Sequence, residues 1–334
     1  MRHPITTTSC ADAVSWCLIG GLAFACLLVG HATGFGVLNA RTLLPGVGVA
    51  VLGGALAIGR LRADARLVAG ATAFLQMTLF TILGVVLSYL LAAQAGPLWD
   101  AQLAAADQRL GLNWPMLFDA ADHLPVPLLA IGGFAYHSLV AQMVLCILVL
   151  ASTGRMERLR IMIAAAILSG VTTVVASGVL PAIGNLFDPN RYKTLWPSVA
   201  WLERTLVLGL RNGTVRQVDL SHLTGIVSFP SYHAALPLIL AWGVRPVNRL
   251  RIPAMVWAGL TIAATPLFGG HYAVDVLAGM MLALASLVVA SRLSSRHPDQ
   301  VMLCSPFAGT RAVPAAGVHQ IGSGGRNGAI HDVV

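Results

Sequence analysis

An all-α, polytopic transmembrane bundle of about eight spans is the fold class this sequence predicts, and three observations predict it. Of its 334 residues, 57% are hydrophobic and only 10% charged, with a mean hydropathy of +0.77. That lies outside the composition of soluble globular domains. The apolar residues gather into runs of roughly 20, the length a helix needs to cross a ~30 Å hydrocarbon core. The arginines gather in short connections between alternate runs, the pattern that orients membrane proteins. The net charge of +8 is therefore spread over small clusters instead of one patch, so no nucleic-acid partner is expected.

The runs fall at 14–31, 43–59, 67–93, 127–151, 160–182, 227–244, 252–268 and 271–292. The first follows Arg2 and His3 in the manner of a signal peptide, but no convincing small-x-small cleavage site follows and further apolar runs come after it, so it reads as a membrane helix. Arg60, Arg62 and Arg66 follow the second run; Arg155, Arg158 and Arg160 the fourth; Arg245, Arg249 and Arg251 the sixth. These connections all lie on one side together with both termini, the cytoplasmic side if basic loops stay inside. A bacterial inner membrane is the expected location. The exterior or periplasmic side then receives 34–42, 94–126, 183–226 and the turn at Gly269 and Gly270.

Segment 94–126 carries Asp100, Asp107, Asp119 and Asp122 against Arg109, with Trp99 and Trp114 suited to an interface. It predicts one or two short interfacial helices. Segment 183–226 opens on the turn formers Gly184-Asn185 and Asp188-Pro189-Asn190 and holds Arg191, Lys193, Arg204, Arg211 and Arg216. Basic residues on this side need a reason other than orientation: an anionic ligand, or simply a solvated loop face. Beyond Ser291 the Ser-, Gly- and Arg-containing chain predicts a disordered tail. The expected organisation is two N-terminal transmembrane helices over 1–66, a membrane domain over 67–292 and the tail over 293–334. Cys10, Cys17, Cys26, Cys146 and Cys304 show no metal-type spacing, so neither a disulfide framework nor a zinc site is expected.

The candidate chemistry lies at the starts of two runs. In Gly270-His271-Tyr272-Ala273-Val274-Asp275 a histidine and an aspartate stand four apart, on one face if helical. Asp275 is the sole acid within any of the apolar runs, a costly placement unless the group is paired or functional. The second constellation is Ser228-Phe229-Pro230-Ser231-Tyr232-His233, on the same predicted side. With Ser228 as N-cap and Pro230 in the first turn, Ser231 and His233 would sit among free backbone N–H groups at the positive helix end. An anion belongs there. His271 follows a Gly-Gly turn, so two helix starts could be aimed at one phosphate. Phosphoryl transfer without a metal needs a nucleophile, an acid and donors for the phosphoryl oxygens. His271 is the candidate nucleophile, Asp275 its orienting acceptor, His233 the acid and Ser231 a donor. Arg191, Lys193 and Arg211 are the candidate phosphate-binding cations.

Blander readings stand beside these. A His-x-x-x-Asp pair can be a helix-surface pair, and Ser231 can be an N-cap or packing residue. Tyr136, His137 and Gln142 could touch substrate or join helices, and Tyr232 and Tyr272 read as interfacial anchors. That both histidine motifs reach the same membrane face by loop charge alone favours a shared site.

Pro230-Ser231-x-His233 followed by His271-x-x-x-Asp275, each opening a span, resembles the second and third motifs of the type 2 phosphatidic acid phosphatase superfamily. The fuller Phe229-Pro230-Ser231-Tyr232-His233-Ala234-Ala235 and Gly270-His271-Tyr272-x-x-Asp275-x-x-x-Gly279 are similar to the branch of inositol phosphorylceramide synthases. The resemblance covers about 70–292. It implies a six-helix core, a phosphohistidine at His271, His233 as acid and no metal or cofactor. The substrate it implies is a lipid phosphate or phosphodiester, with inositol-phosphate transfer as one form of the reaction. The superfamily's first motif, a Lys followed by Arg-Pro, and the Ser-Arg ahead of the third-motif His are missing here. The competing class is a non-catalytic transporter or lipid-binding protein that uses the His and Asp residues for protons or substrate.

Overall fold

A computed structural model describes residues 9–37, 42–94 and 96–295. From 296 onward the expected tail, with Cys304, lies outside the described residues. The chain is a helical bundle: α1 Cys10–Thr33, α2 Leu43–Leu61, α3 Ala65–Ala92, the short α4 Asp100–Arg109 and α5 Trp114–Asp122, then α6 Val126–His137, α7 Leu139–Ser152 and α8 Met156–Val179. After a 3-10 turn at Pro189–Arg191 come α9 Val199–Asn212, α10 Tyr232–Val244, α11 Asn248–Ala264, a π turn Thr265–Gly269 and α12 Ala273–Ser294. Two-residue strands, β1 Gly36–Val37 and β2 Gln217–Val218, pair in parallel and tie the loop after α1 to the segment after α9.

The eight expected spans resolve unevenly. Five helices are long and apolar enough to cross a membrane: α1, α3, α8, α11 with its π turn, and α12. A sixth is made by α6 and α7 together, bent by 57° where they meet. The bend falls at Ser138, whose hydroxyl donates to the Ala135 carbonyl and so competes with the backbone ladder. The run around α2 and the run ending in α10 give shorter apolar helices. Helix α1 starts earlier than its apolar run and takes in Asp12, so Asp275 is not the sole acid in an apolar helix. Asp12 is paired at 3.0 Å with Arg160 of α8, which docks α1 on the bundle.

The core lies where α3, α7, α8 and α10 meet, around Met77, Phe80, Ile147, Met162, Ile167 and Ile239. Gly170 of α8 leaves the space that the Phe80 ring fills, and a Cβ there would collide with it. Outward-facing Leu27, Leu61 and Met281 are more than half exposed, as suits side chains facing hydrocarbon rather than water.

The acidic segment forms the two expected short helices, and its carboxylates clamp the opposite loop. Asp100 accepts from the N–H groups of Ile183 and Gly184 at 3.1 and 2.8 Å. Asp122 accepts from the backbone N–H groups of Lys193, Thr194 and Leu195 and from the Thr194 hydroxyl. Those donors, the Thr194 N–H foremost, hold the Asp122 carboxyl at about 2, below its ordinary 3.8. This clamp fixes the loop that leads into α9.

Candidate active site

Helix α10 begins one turn later than the sequence suggests. Its N-cap is Ser231, not Ser228, and Pro230 lies ahead of the helix. The reason is a backbone tie: the Ser231 N–H donates to the Asp275 carbonyl at 2.9 Å, which fixes the start of α10 against the start of α12. Gly279 permits the approach, since a Cβ there would collide with the Ser231 carbonyl. Freed from capping, Ser228 turns inward and its hydroxyl donates to Asp275 Oδ2 at 2.9 Å.

Helix α12 also begins later, at Ala273 with Tyr272 as N-cap. His271 therefore stands on the extended lead-in while Asp275 sits in the first helical turn, so a capping geometry brings them together in place of the expected helix face. Asp275 Oδ2 accepts the Tyr272 N–H at 3.0 Å and lies 3.5 Å from His271 Nδ1, within ion-pair range but longer than a hydrogen bond. His271 is 4% exposed and Asp275 is fully buried. Gly270, in the left-handed region at φ +75°, makes the turn that presents His271; a side chain there would be strained and would strike Ser198 and Ala200.

The expected pair of anion-binding helix starts is reduced to one. The Ala273 and Val274 N–H groups donate to Asp107 at 2.8 and 2.9 Å, and Asp107 also takes the Trp114 indole N–H at 2.7 Å. A protein carboxylate thus already occupies the anion position of α12. At α10 the Tyr232 and His233 N–H groups make no backbone hydrogen bond among the described residues.

His233 and His271 both line one cavity of about 390 Å³, reached also by Tyr136, His137, Glu203 and Ser228. Their ring centroids are 6.2 Å apart. Tyr136 stacks on His233 with centroids 4.5 Å apart and planes within 16°, fixing the imidazole's orientation. The rest of the lining is largely apolar, from α3, α7, α8, α9 and the loop 223–227. Ser231 is fully buried beside the site, and its hydroxyl has no hydrogen-bond partner.

The candidate cations are placed differently. Arg191 lines a second cavity of about 1010 Å³ with Asn113, Trp114 and Tyr192, which meets the histidines' cavity at Ile183. Lys193 is exposed, its backbone on Asp122. Arg211 donates to the Gly96 carbonyl and borders a cavity of about 20 Å³ that shares Ser88, Val207, Ile226 and Val227 with the large one. Of the three, Arg211 borders the cavity that shares the most lining with that of the histidines. Gln142 joins helices, donating to Ser138 and Thr261. Tyr232 and Tyr272 are not interfacial anchors: Tyr232 donates to the Ala166 carbonyl inside the bundle, and buried Tyr272 donates to Asp100 and the Gly184 carbonyl.

Two residues of the site escaped the sequence reading. Ser228 has the sequence context of a helix cap, and Glu203 lies in a segment whose charge is dominated by basic residues. Its place on α9, an amphipathic helix the sequence reading did not predict, is what brings it to the cavity. Among the described residues no group of three or more His, Cys, Asp or Glu side chains is arranged to hold a metal ion.

A family model for the PAP2 superfamily matches residues 101–289, more than half of the chain and including His233, His271 and Asp275. No curated protein and no solved structure matches.

Proposed function

Because the chain belongs to the PAP2 superfamily, we propose that it is an integral membrane phosphatase or phosphotransferase acting on a lipid phosphate or phosphodiester at the exterior face through a phosphohistidine. The observation that carries this reading is the juxtaposition in one cavity of His233 and His271, with buried Asp275 behind the latter. Since Asp275 faces Nδ1, the attacking atom is His271 Nε2. Nε2 forms a bond to phosphorus as the ester P–O bond breaks, and the departing oxygen takes a proton from His233. In the second step the oxygen of water or of another alcohol attacks phosphorus, the P–N bond breaks, and the incoming hydroxyl's proton passes to His233.

Asp275 stabilises the positive charge that develops on His271. Ser228 and the Tyr272 N–H hold that carboxylate in place. The open Tyr232 and His233 N–H groups are the donors for the phosphoryl oxygens, with the unpartnered Ser231 hydroxyl buried behind them. Arg211, whose cavity shares lining with this one, is the cation assigned to this arrangement, while Arg191 and Lys193 meet an anionic head group as it first approaches. Inositol-phosphate transfer is the form of the reaction that the motif resemblance favours. The test is incubation of the purified protein with radiolabelled phosphatidic acid, isoprenyl diphosphate and phosphatidylinositol. The expected result is an acid-labile phosphoenzyme that His271→Ala abolishes; turnover that persists unchanged in His271→Ala overturns the reading.

A further inference from the structure

The cavity that holds the two histidines also holds a carboxylate the proposed mechanism does not use. Glu203 of α9 lines it and makes no hydrogen bond or ion pair among the described residues. The adjacent Arg204 is engaged elsewhere, its guanidinium 3.8 Å from the Trp201 ring centre and bonded to the Trp201 carbonyl. A second unmatched group is Thr173 of α8, 2% exposed, whose hydroxyl lines the same cavity and has no partner. Among the described residues no lysine or arginine lines this cavity, so its groups able to carry positive charge are His137, His233 and His271. Asp275, behind His271, adds negative charge.

This balance discriminates between phosphate classes. A phosphate monoester carries about 1.5 to 2 negative charges at neutral pH, a diphosphate more, and a diester only one. In a largely apolar enclosure each added negative charge is repelled by a nearby carboxylate more strongly than in water. A diester also brings a second alcohol group beside the phosphorus, where hydroxyl or ammonium protons satisfy an unpaired carboxylate. We infer that the cavity takes a monoanionic lipid phosphodiester whose head group carries hydrogen-bond donors, with Glu203 as the residue that selects it over monoesters and diphosphates. The inference rests on the phosphotransfer reading above.

The experiment compares kcat/KM of the full-length protein in lipid nanodiscs on phosphatidylglycerol, phosphatidylethanolamine, phosphatidylmethanol and phosphatidic acid. Wild type is expected to favour phosphatidylglycerol or phosphatidylethanolamine over phosphatidic acid by at least ~10-fold, and over the donor-free phosphatidylmethanol by less. The better of the first two tells whether hydroxyl or ammonium is recognised. Glu203→Gln keeps the shape, removes the charge, and is expected to bring the diester-to-monoester ratio down ~10-fold. Phosphoenzyme yield from the diester, measured in the same samples, reports that the variant is folded. Should Glu203→Gln fail to fold, Glu203→Ala is read in the same way. A ratio unchanged in a variant that still forms the phosphoenzyme, or a wild type that prefers phosphatidic acid, overturns the assignment of Glu203. No phosphoenzyme in the wild type from any of these four lipids, nor from phosphatidylinositol or isoprenyl diphosphate, instead removes the reading beneath it.

Discussion

At the residue scale the site is an arrangement of three side chains, each set by a different local rule. His271 is held on an extended lead-in, Asp275 by a capping position, and His233 by the stacked Tyr136 ring. Asp275 depends on Ser228, which supplies the one side-chain hydroxyl that donates to it among the described residues. Ser228→Ala removes that donor from a buried carboxylate and is expected to lower kcat about 10-fold with KM little changed. Steady-state kinetics on any lipid the wild type turns over checks this; an altered KM at constant kcat would place Ser228 in binding instead. The identities of His233, His271 and Asp275 were legible because those residue types stand where apolar sequence ought to be. How they meet was not, since a histidine four before an aspartate reads the same on a helix face as across a helix start.

At the element scale the short acidic helices turn out to be clamps. Asp100, Asp107 and Asp122 each take backbone N–H groups from segments distant in sequence. The sequence reading used these acids as a sign of sidedness and predicted α4 and α5, but periodicity does not disclose which orphan N–H groups a carboxylate will find. Helix α9 is a different case: its caps Ser198 and Gly213 and its amphipathic pattern stand in the sequence, overshadowed by the basic residues of the segment, and Glu203 with them. The Asp122 clamp has a pH dependence with a definite sign. Its carboxyl is held down to about 2 from 3.8, so the stabilisation is present above about 3.8 and is lost as pH falls towards about 2. Hydrogen exchange at Lys193 to Leu195 is expected to accelerate over that window, and Asp122→Asn is expected to remove the dependence. Exchange that stays independent of pH in the wild type, after correction for the intrinsic rate, would count against the clamp.

At the scale of the whole molecule, composition and arginine placement foretold a helical membrane bundle, and five or six long apolar helices are present. The count of eight came from run length alone. Run length cannot see that the stretch 227–231 stays outside the helix, tied to α12 at Ser231, or that Ser138 breaks α6 from α7. The sidedness has a direct check. A cysteine replacing Asn190, in the loop beside α9, is expected to react in intact cells with a membrane-impermeant thiol reagent. One replacing Gly154, beside the Arg155 to Arg160 cluster, should react only after the cells are opened. The reverse pattern would turn the protein over in the membrane and put the histidine cavity on the cytoplasmic face.

The measurement that tests the central claim most directly is the location of the transferred phosphoryl group. Wild-type protein incubated with radiolabelled lipid and quenched without acid, then digested and sequenced by mass spectrometry, is predicted to carry on His271 the phosphoryl group, with its remaining alcohol where the donor is a diester. Phosphate on a different side chain, or lipid turnover that proceeds without any phosphorylated protein, would contradict the account.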